Sequence, residues 1–457
     1  MFFIELGFVL PGIIIFIFYF IWYKKKKALK VQKIASEFIK EVERRELIPP
    51  VVYKFTSAST ANLTNIKIKD QDEKEVLNFG SNNYLGLGSD ERIKNEVSET
   101  ALKYGCGSGG SRFATGNTDI QLELEKRIAK FKGFEACLTY VTGYMANTGA
   151  IPALLKSTPF SIIQYAFSKK KSAIVFSDEL NHSSIIEGIC ISKAKKVIYN
   201  HNDMEDLENK LNKHAAYYER RMIISDGVFS LEGDICDLKK ILEFGKKHHC
   251  IVYIDDAHGT GVLGKSGKGV IEHFGIDPKK HQNLIIMGTF TKSFGGLGGF
   301  ICSTKEIVRY LTLTSRSYIF TAPIPPAIVG GIIKALDLIE SNDNGRIDRL
   351  KENRNYFVEN IKKAHFNVLD AEKYETSIIP LILGEPSIVY RFYKKLLYDY
   401  SIYTLPIIYP GVPKNQGRLR IIINSEHTKD QMDQLITSLK EIRKKNMFNQ
   451  LEEKLKS

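Results

Sequence analysis

Between residues 130 and 325 the chain alternates short apolar runs with stretches of helical periodicity. Leu138–Val141, Ala173–Phe176, Met222–Ser225, Ile251–Ile254, Leu284–Met287 and Phe300–Ser303 are too short for buried helices and lie near Gly, Ser, Thr or Asp. Continuous apolar runs of this length predict strands buried on both faces. The intervening periodicity predicts helices. One spans Asp119–Phe131, with Ile120, Leu124, Ile128 and Phe131 on one face, and opens with Thr118 and Gln121 at the spacing of a capping box. The alternation predicts an α/β fold with a mostly parallel sheet and helices on both faces, occupying residues 51–325. After Pro325-Pro326 a helical pattern over Ala327–Ile339 leads into a smaller α+β domain, residues 326–457. Its expected strands fall within 377–383, 402–408 and 419–424, and its last helix turns Met432, Leu435, Ile436, Leu439 and Ile442 inward.

The first residues follow a different pattern. From Phe2 to Tyr23 the only charge is Glu5, and Phe8–Trp22 is almost unbroken Val, Leu, Ile and Phe, close to the length that crosses a bilayer. Residues 1–23 are expected to form a transmembrane helix that tolerates Pro11. Tyr19, Trp22 and Tyr23 would sit in the interface, and Lys24–Lys27 would place the body of the chain on the cytoplasmic side of a single-pass anchor. A cleaved signal peptide fits less well, since the positive charge follows the apolar run. In residues 24–50, Val31, Ile34, Ala35, Phe38, Ile39 and Val42 recur at helical spacing. They predict an amphipathic helix that lies on membrane lipid or packs on the body. Residues 156–171 carry Phe160, Ile162, Ile163, Tyr165 and Phe167 ahead of three lysines, and read either as a second membrane contact or as a surface insertion.

Composition adds limits. With 457 residues, 43% hydrophobic and 26% charged, the chain can bury a large core. The net charge of +13 comes partly from the N-terminal lysines and the basic C-terminal tail. No aromatic and basic residues alternate along one face, so anionic lipid or a phosphate-bearing ligand is expected rather than nucleic acid. Six scattered cysteines without CxxC spacing predict free thiols and no metal site.

Chemistry concentrates at the ends of the apolar runs. Lys292 follows Leu284–Met287 in Gly288-Thr289-Phe290-Thr291-Lys292-Ser293-Phe294-Gly295-Gly296, a setting that suits a Schiff base with an aldehyde cofactor. Cys250–Ile254 runs into Asp255, with His258 three residues on. A buried carboxylate of this kind keeps a pyridine nitrogen protonated, which is what pyridoxal phosphate requires. His182 follows the run ending at Phe176 and could stack on the ring. Thr142-Gly143-Tyr144 follows Leu138–Val141 as a strand-to-helix turn whose amides would take a phosphate.

In this order and spacing, the motifs resemble the α-oxoamine synthases, pyridoxal-phosphate-dependent acyltransferases of the aspartate aminotransferase-like type (fold type I), from about Val51 to about Ile442. The resemblance implies the cofactor pyridoxal 5'-phosphate and the loss of carbon dioxide as an amino acid condenses with an acyl-CoA. It implies that Lys292 carries the cofactor and shuttles the α-proton, that Asp255 pairs with the ring nitrogen, that His182 stacks on the ring, and that His258 and Ser230 bond near the ring oxygen. Gly143, Tyr144 and Thr289 would hold the phosphate, and Thr321 would reach the phosphate of the partner subunit. Arg420 would grip the amino-acid carboxylate and Asn82 would lie on the substrate side, with the loop Gly105–Arg112 beside the acyl thioester. His427 is expected to open the last helix instead.

The Lys292 segment is similar to the catalytic subunit of serine palmitoyltransferase. With the anchor, it implies L-serine plus palmitoyl-CoA giving 3-ketosphinganine, in a homodimer or a heterodimer with a related subunit. Asp255–Gly261 and Gly107–Arg112 instead resemble 8-amino-7-oxononanoate synthases, which makes alanine plus a pimeloyl thioester the alternative, with 2-amino-3-ketobutyrate CoA ligase beside it. From other classes, an aminotransferase or a non-catalytic membrane scaffold remain, the latter opposed by Lys292, Asp255, His182 and Arg420 occurring together.

Overall fold

The computed structural model describes residues 33–37, 40, 53–55, 63–68, 74–156 and 171–456. The expected span at 1–23 and most of residues 24–50 and 156–171 lie outside the described residues. Among those described, no helix is long and apolar enough to cross a membrane. The described residues fall into two units, divided between residues 1–56 with 66–73 and residues 57–65 with 74–457. In the first, residues 33–37 are helical and Ile34 is 56% exposed. Its strand β1 (Tyr53–Phe55) pairs antiparallel with the end of β2 (Leu63–Ile68).

The second unit is built on a seven-stranded sheet in the order β4-β10-β9-β8-β7-β5-β6. The strands are β4 (Ala136–Tyr140), β5 (Lys171–Asp178), β6 (Lys195–Tyr199), β7 (Tyr218–Asp226), β8 (Ile251–Asp255), β9 (Leu284–Thr289) and β10 (Gly299–Ser303). All neighbours run parallel except β10, which is antiparallel to both β4 and β9. Alternate residues serve two cores. Ile174, Phe176, Ile223, Val252, Ile254, Leu284 and Ile286 pack on one side, and Ala173, Val175, Met222, Ile224, Tyr253, Ile285 and Met287 on the other. With both faces covered, the buried stretches of the central strands had to be apolar on both sides, which is why those runs are continuous.

The remaining strands lie elsewhere. β11 (Ile378–Gly384), β14 (Gly417–Ile422) and β13 (Leu405–Ile407) make an antiparallel sheet in the order β11-β14-β13. The single strand expected within 402–408 is two. β12 (Ile402–Tyr403) pairs parallel with β3 (Lys74–Asn78), while β13 pairs with β14. β6 is an addition to the expected set. It is an edge strand that starts with two exposed lysines, so its pattern lacks the apolar run of its neighbours.

The helix α1 (Asp119–Lys132) forms as expected, yet the capping box does not: Thr118 makes no side-chain cap bond and Gln121 donates to the Thr139 hydroxyl at 2.7 Å. The buried network around Arg112 and Glu125 competes for it. Arg112 forms two bonds with Glu125, at 2.8 and 3.1 Å, and a third to Thr139, which fixes the glycine-rich loop to the sheet edge. The same Thr-x-x-Gln spacing does close at the start of the last helix, where the Thr428 amide donates to Gln431 Oε1 and the Gln431 amide to Thr428 Oγ1. His427 therefore does not cap that helix. Its ring stacks on Phe79 at 4.1 Å, and Nδ1 accepts the Asn424 amide. All six cysteines are free, four of them buried.

Candidate active site

β5, β7, β8 and β9 run parallel, so their carboxyl ends form one edge, the usual place for a ligand on such a sheet. There Asp178, Asp226, Asp255 and Thr289 end their strands. A cavity of about 200 Å³ opens over this edge. Gly143, Tyr144, His182, Ser230, Asp255, His258, Thr289 and Lys292 line it, together with Ser184, Asp226 and Thr291. Eight of the nine residues expected at the cofactor thus converge; the ninth, Thr321, stands apart and donates its hydroxyl to the Ser317 carbonyl.

Asp255 is buried, and two donors fix its carboxylate. The Ala257 amide reaches Oδ1 at 3.1 Å and Asn147 Nδ2 reaches Oδ2 at 2.8 Å. Asn147 sits wholly buried in helix α2 (Gly143–Leu155), where its Oδ1 accepts the Tyr253 hydroxyl and Nδ2 also donates to Ser184 Oγ. Ser184 Oγ is then 2.7 Å from His182 Nδ1, which also accepts the Ser184 amide. With Asn147 donating into Ser184, the serine hydroxyl proton goes to Nδ1 and the ring proton of His182 sits on Nε2. Burial lowers the His182 pKa against the pull of Asp255. Asp226, in register with Asp255, is buried with no partner for Oδ1, and burial beside Asp255 raises its carboxyl well above the usual range.

Lys292 leaves β9 through a turn anchored on either side by buried Phe290 and Phe294, whose rings meet at 5.3 Å. Ser293 Oγ donates to the Thr260 carbonyl and the Gly295 amide to the Lys292 carbonyl. Within the cavity wall the amine is desolvated, and despite Asp255 its pKa falls from 10.5 to about 8. About a tenth is therefore neutral and nucleophilic at pH 7, far more than for an ordinary lysine.

The amino end of α2 supplies the third part of the cavity. Thr142 caps it by accepting the Met145 amide, and Gly143 lies where a Cβ would be 3.4 Å from Thr289 Oγ1. A Cβ on Gly299 would come within 2.6 Å of Gly143, so glycine at both positions lets the helix start directly against β10. Free amides at a helix start favour an anion.

The two expected substrate residues meet each other. Arg420 on β14 directs both terminal nitrogens at Asn82 Oδ1, each at 3.1 Å, and its Nε donates to the Ser230 carbonyl. Tyr84, which bonds His258 Nδ1 at 2.7 Å, joins this pair to the cavity. Burial raises the Tyr84 hydroxyl to about 12, and drives His258 well below the usual imidazole range with help from Lys292 and Arg420. Sequence reasoning missed Tyr84, Asn147, Ser184 and Asp226. Asn147 carried a signal, as a polar amide in a helix otherwise built of small and apolar residues must find partners once buried.

Residues 74–439 match the family model described as aminotransferase class I and II. The 8-amino-7-oxononanoate synthase of Thermoanaerobacter pseudethanolicus is 39% identical over 374 residues, covering 82% of this chain and 89% of that protein. Among solved structures, serine palmitoyltransferase from S. paucimobilis, with pyridoxal phosphate bound as its myriocin adduct, aligns with a TM-score of 0.77 at 26% identity over 88% of this chain and 95% of that one. The 8-amino-7-oxononanoate synthase of Francisella tularensis aligns with a TM-score of 0.67 at 29% identity, over 81% and 99%. The chain belongs to the aminotransferase class I and II family and, within it, to the pyridoxal-phosphate-dependent α-oxoamine synthases. Sequence identity leans toward the oxononanoate synthases, which reverses the order of the two substrate readings drawn from the motifs.

Proposed function

We propose that this protein condenses alanine with a pimeloyl thioester, releasing the thiol and carbon dioxide, to give 8-amino-7-oxononanoate. The observation that carries the reading is the 39% identity to an enzyme of that name across four-fifths of the chain, with Lys292 and Asp255 lining one cavity. Bound pyridoxal phosphate supplies an electron sink for charge that develops at the substrate α-carbon. Lys292 Nζ would attach the cofactor and move the α-proton, tasks suited to an amine near pKa 8. Asp255, oriented by Asn147 and Ala257, holds the ring nitrogen. His182 would cover the ring face, and His258 and Ser230 would face its oxygen. The amides of Gly143 and Tyr144 take the phosphate with the Thr289 hydroxyl. Arg420 grips the amino-acid carboxylate, and Asn82, whose Oδ1 accepts from its guanidinium, lies on the substrate side. Thr321 serves a partner copy, a role supported by the exposed rings of Phe320 (72%) and Phe113 (59%) on either side of the Arg112–Thr321 backbone bond.

A second reading, serine with palmitoyl-CoA, is favoured by the alignment to serine palmitoyltransferase and by the apolar segment Phe8–Trp22, which we propose anchors the protein in a membrane with its body on the cytoplasmic side. Protein loaded with pyridoxal phosphate and given alanine, glycine or serine with pimeloyl-CoA or palmitoyl-CoA should release free CoA fastest with alanine and pimeloyl-CoA, with the product identified by mass. A 3-ketosphinganine mass from serine would install the second reading. Lys292→Ala should abolish the thiol release. Absence of thiol release with every pair would remove both.

A further inference from the structure

Outside the cavity, His201 stands between two carboxylates. Its Nδ1 is 3.1 Å from Asp178 Oδ1 and its Nε2 is 2.9 Å from Asp234 Oδ2. Both carboxylates already act as acceptors elsewhere. Asp178 takes the amides of Leu180 and Asn202, each at 2.9 Å, and Asp234 Oδ2 takes Asn202 Nδ2 at 2.8 Å. A neutral ring would point one lone pair at a carboxylate oxygen, so the contacts are satisfied when both ring nitrogens donate. The Phe229 ring packs edge-to-face against the imidazole at 4.4 Å and limits its rotation.

The two carboxylates belong to the two turns that carry site residues. Asp178 ends β5 and holds the turn whose fifth residue is His182. Asp234 closes the loop after β7, where the Phe229 amide donates to the Asp234 carbonyl and the Gly233 amide to the Phe229 carbonyl. At the tip of that loop lies Ser230, whose carbonyl holds Arg420. We propose that His201 is a positioning residue, an imidazolium strut that sets the spacing of the His182 turn and the Ser230 loop and thereby the aim of Arg420. The substrate part of this inference rests on the reading of Arg420 as the amino-acid carboxylate site.

The charged groups facing the ring are Asp178 and Asp234, with Glu179 on the His201 amide and Glu232 beyond, itself paired with Arg418. Burial opposes the charge, but the two carboxylates prevail and take the His201 pKa to about 10. Because the folded value lies above the unfolded one of about 6.5, the strut strengthens the fold fully below pH 6.5. That contribution fades as the pH rises and is gone above about 10.

The test uses the full chain loaded with pyridoxal phosphate. In His201→Ala the KM for the amino acid should rise on the order of tenfold while kcat and the KM for the thioester change little, the pattern of lost uniform binding. Added imidazole should restore the KM, and a higher concentration should be needed at pH 9, where little of the free base is cationic, than at pH 6. Equal loss of kcat and KM with no rescue at either pH would overturn the proposal. Two further measurements need no turnover. Hydrogen exchange should quicken together in residues 178–182 and 228–235 of the variant, and ¹⁵N spectra of the wild type should show His201 doubly protonated at pH 8. A neutral His201 there overturns the strut even if the variant folds poorly. Confirmed protonation and exchange with an unchanged amino-acid KM would instead remove the assigned role of Arg420.

Discussion

Asn147 shows how much of this site depends on a side chain that touches no expected ligand. Its one amide orients Asp255 and, through Ser184, decides which nitrogen of His182 bears the proton. Asn147→Leu should leave Asp255 with the Ala257 amide alone and weaken pyridoxal phosphate binding by at least about tenfold, the worth of one charge-assisted bond, as read by fluorescence titration. Lys292 offers a companion measurement. With its amine near pKa 8, the rate of cofactor attachment should climb between pH 7 and 9 and then level off, whereas an ordinary lysine would continue rising toward 10.5. At this scale the meeting of Lys292, Asp255 and His182 in one cavity was legible because each ends or follows a strand, and strand ends collect on one edge. Tyr84 and Ser184 were not, since their partners His258 and Asn147 lie 174 and 37 positions away and meet them only in the fold.

Among the elements, the start of α2 and the start of β10 approach as closely as two backbones can. Gly299→Ala would place a methyl within 2.6 Å of Gly143 Cα, and backbone cannot swing aside as a side chain does. Overpacking of this kind costs about 1–3 kcal/mol. The variant should therefore melt lower, and it should lose affinity for pyridoxal phosphate more than for pyridoxal, because the displaced amides are the ones proposed to take the phosphate. Comparing the two affinities by titration checks this. The strands of the large sheet could be read directly from their apolar runs, as two-sided burial leaves no polar positions. β6 escaped because an edge strand keeps one side in water, and the stretch 402–408 misled because a polar residue between two strands leaves no break in the pattern. At Thr118 a local capping signal gave way to a buried network, while at Thr428 nothing competed and the signal held.

For the whole molecule, residues 74–456 carry the fold and the cavity, and the proposed anchor precedes them. Removal of residues 1–23 should move the protein from the membrane to the soluble fraction with its thiol-releasing activity intact, measured by fractionation and assay; persistence at the membrane would point to residues 24–50 or 156–171. The family and the cofactor were readable from a handful of spaced residues. The acyl partner was not, because the Lys292 segment and the glycine-rich loop resemble different branches. The splice at residues 402–407 has a mechanical outcome. Ile402–Tyr403 is stitched to β3, which leads to Asn82, and after Thr404 the next three residues are stitched to β14, which bears Arg420. One short segment thus ties the strand that leads to Asn82 to the strand that bears Arg420, so the two residues proposed to meet the substrate stand on joined supports.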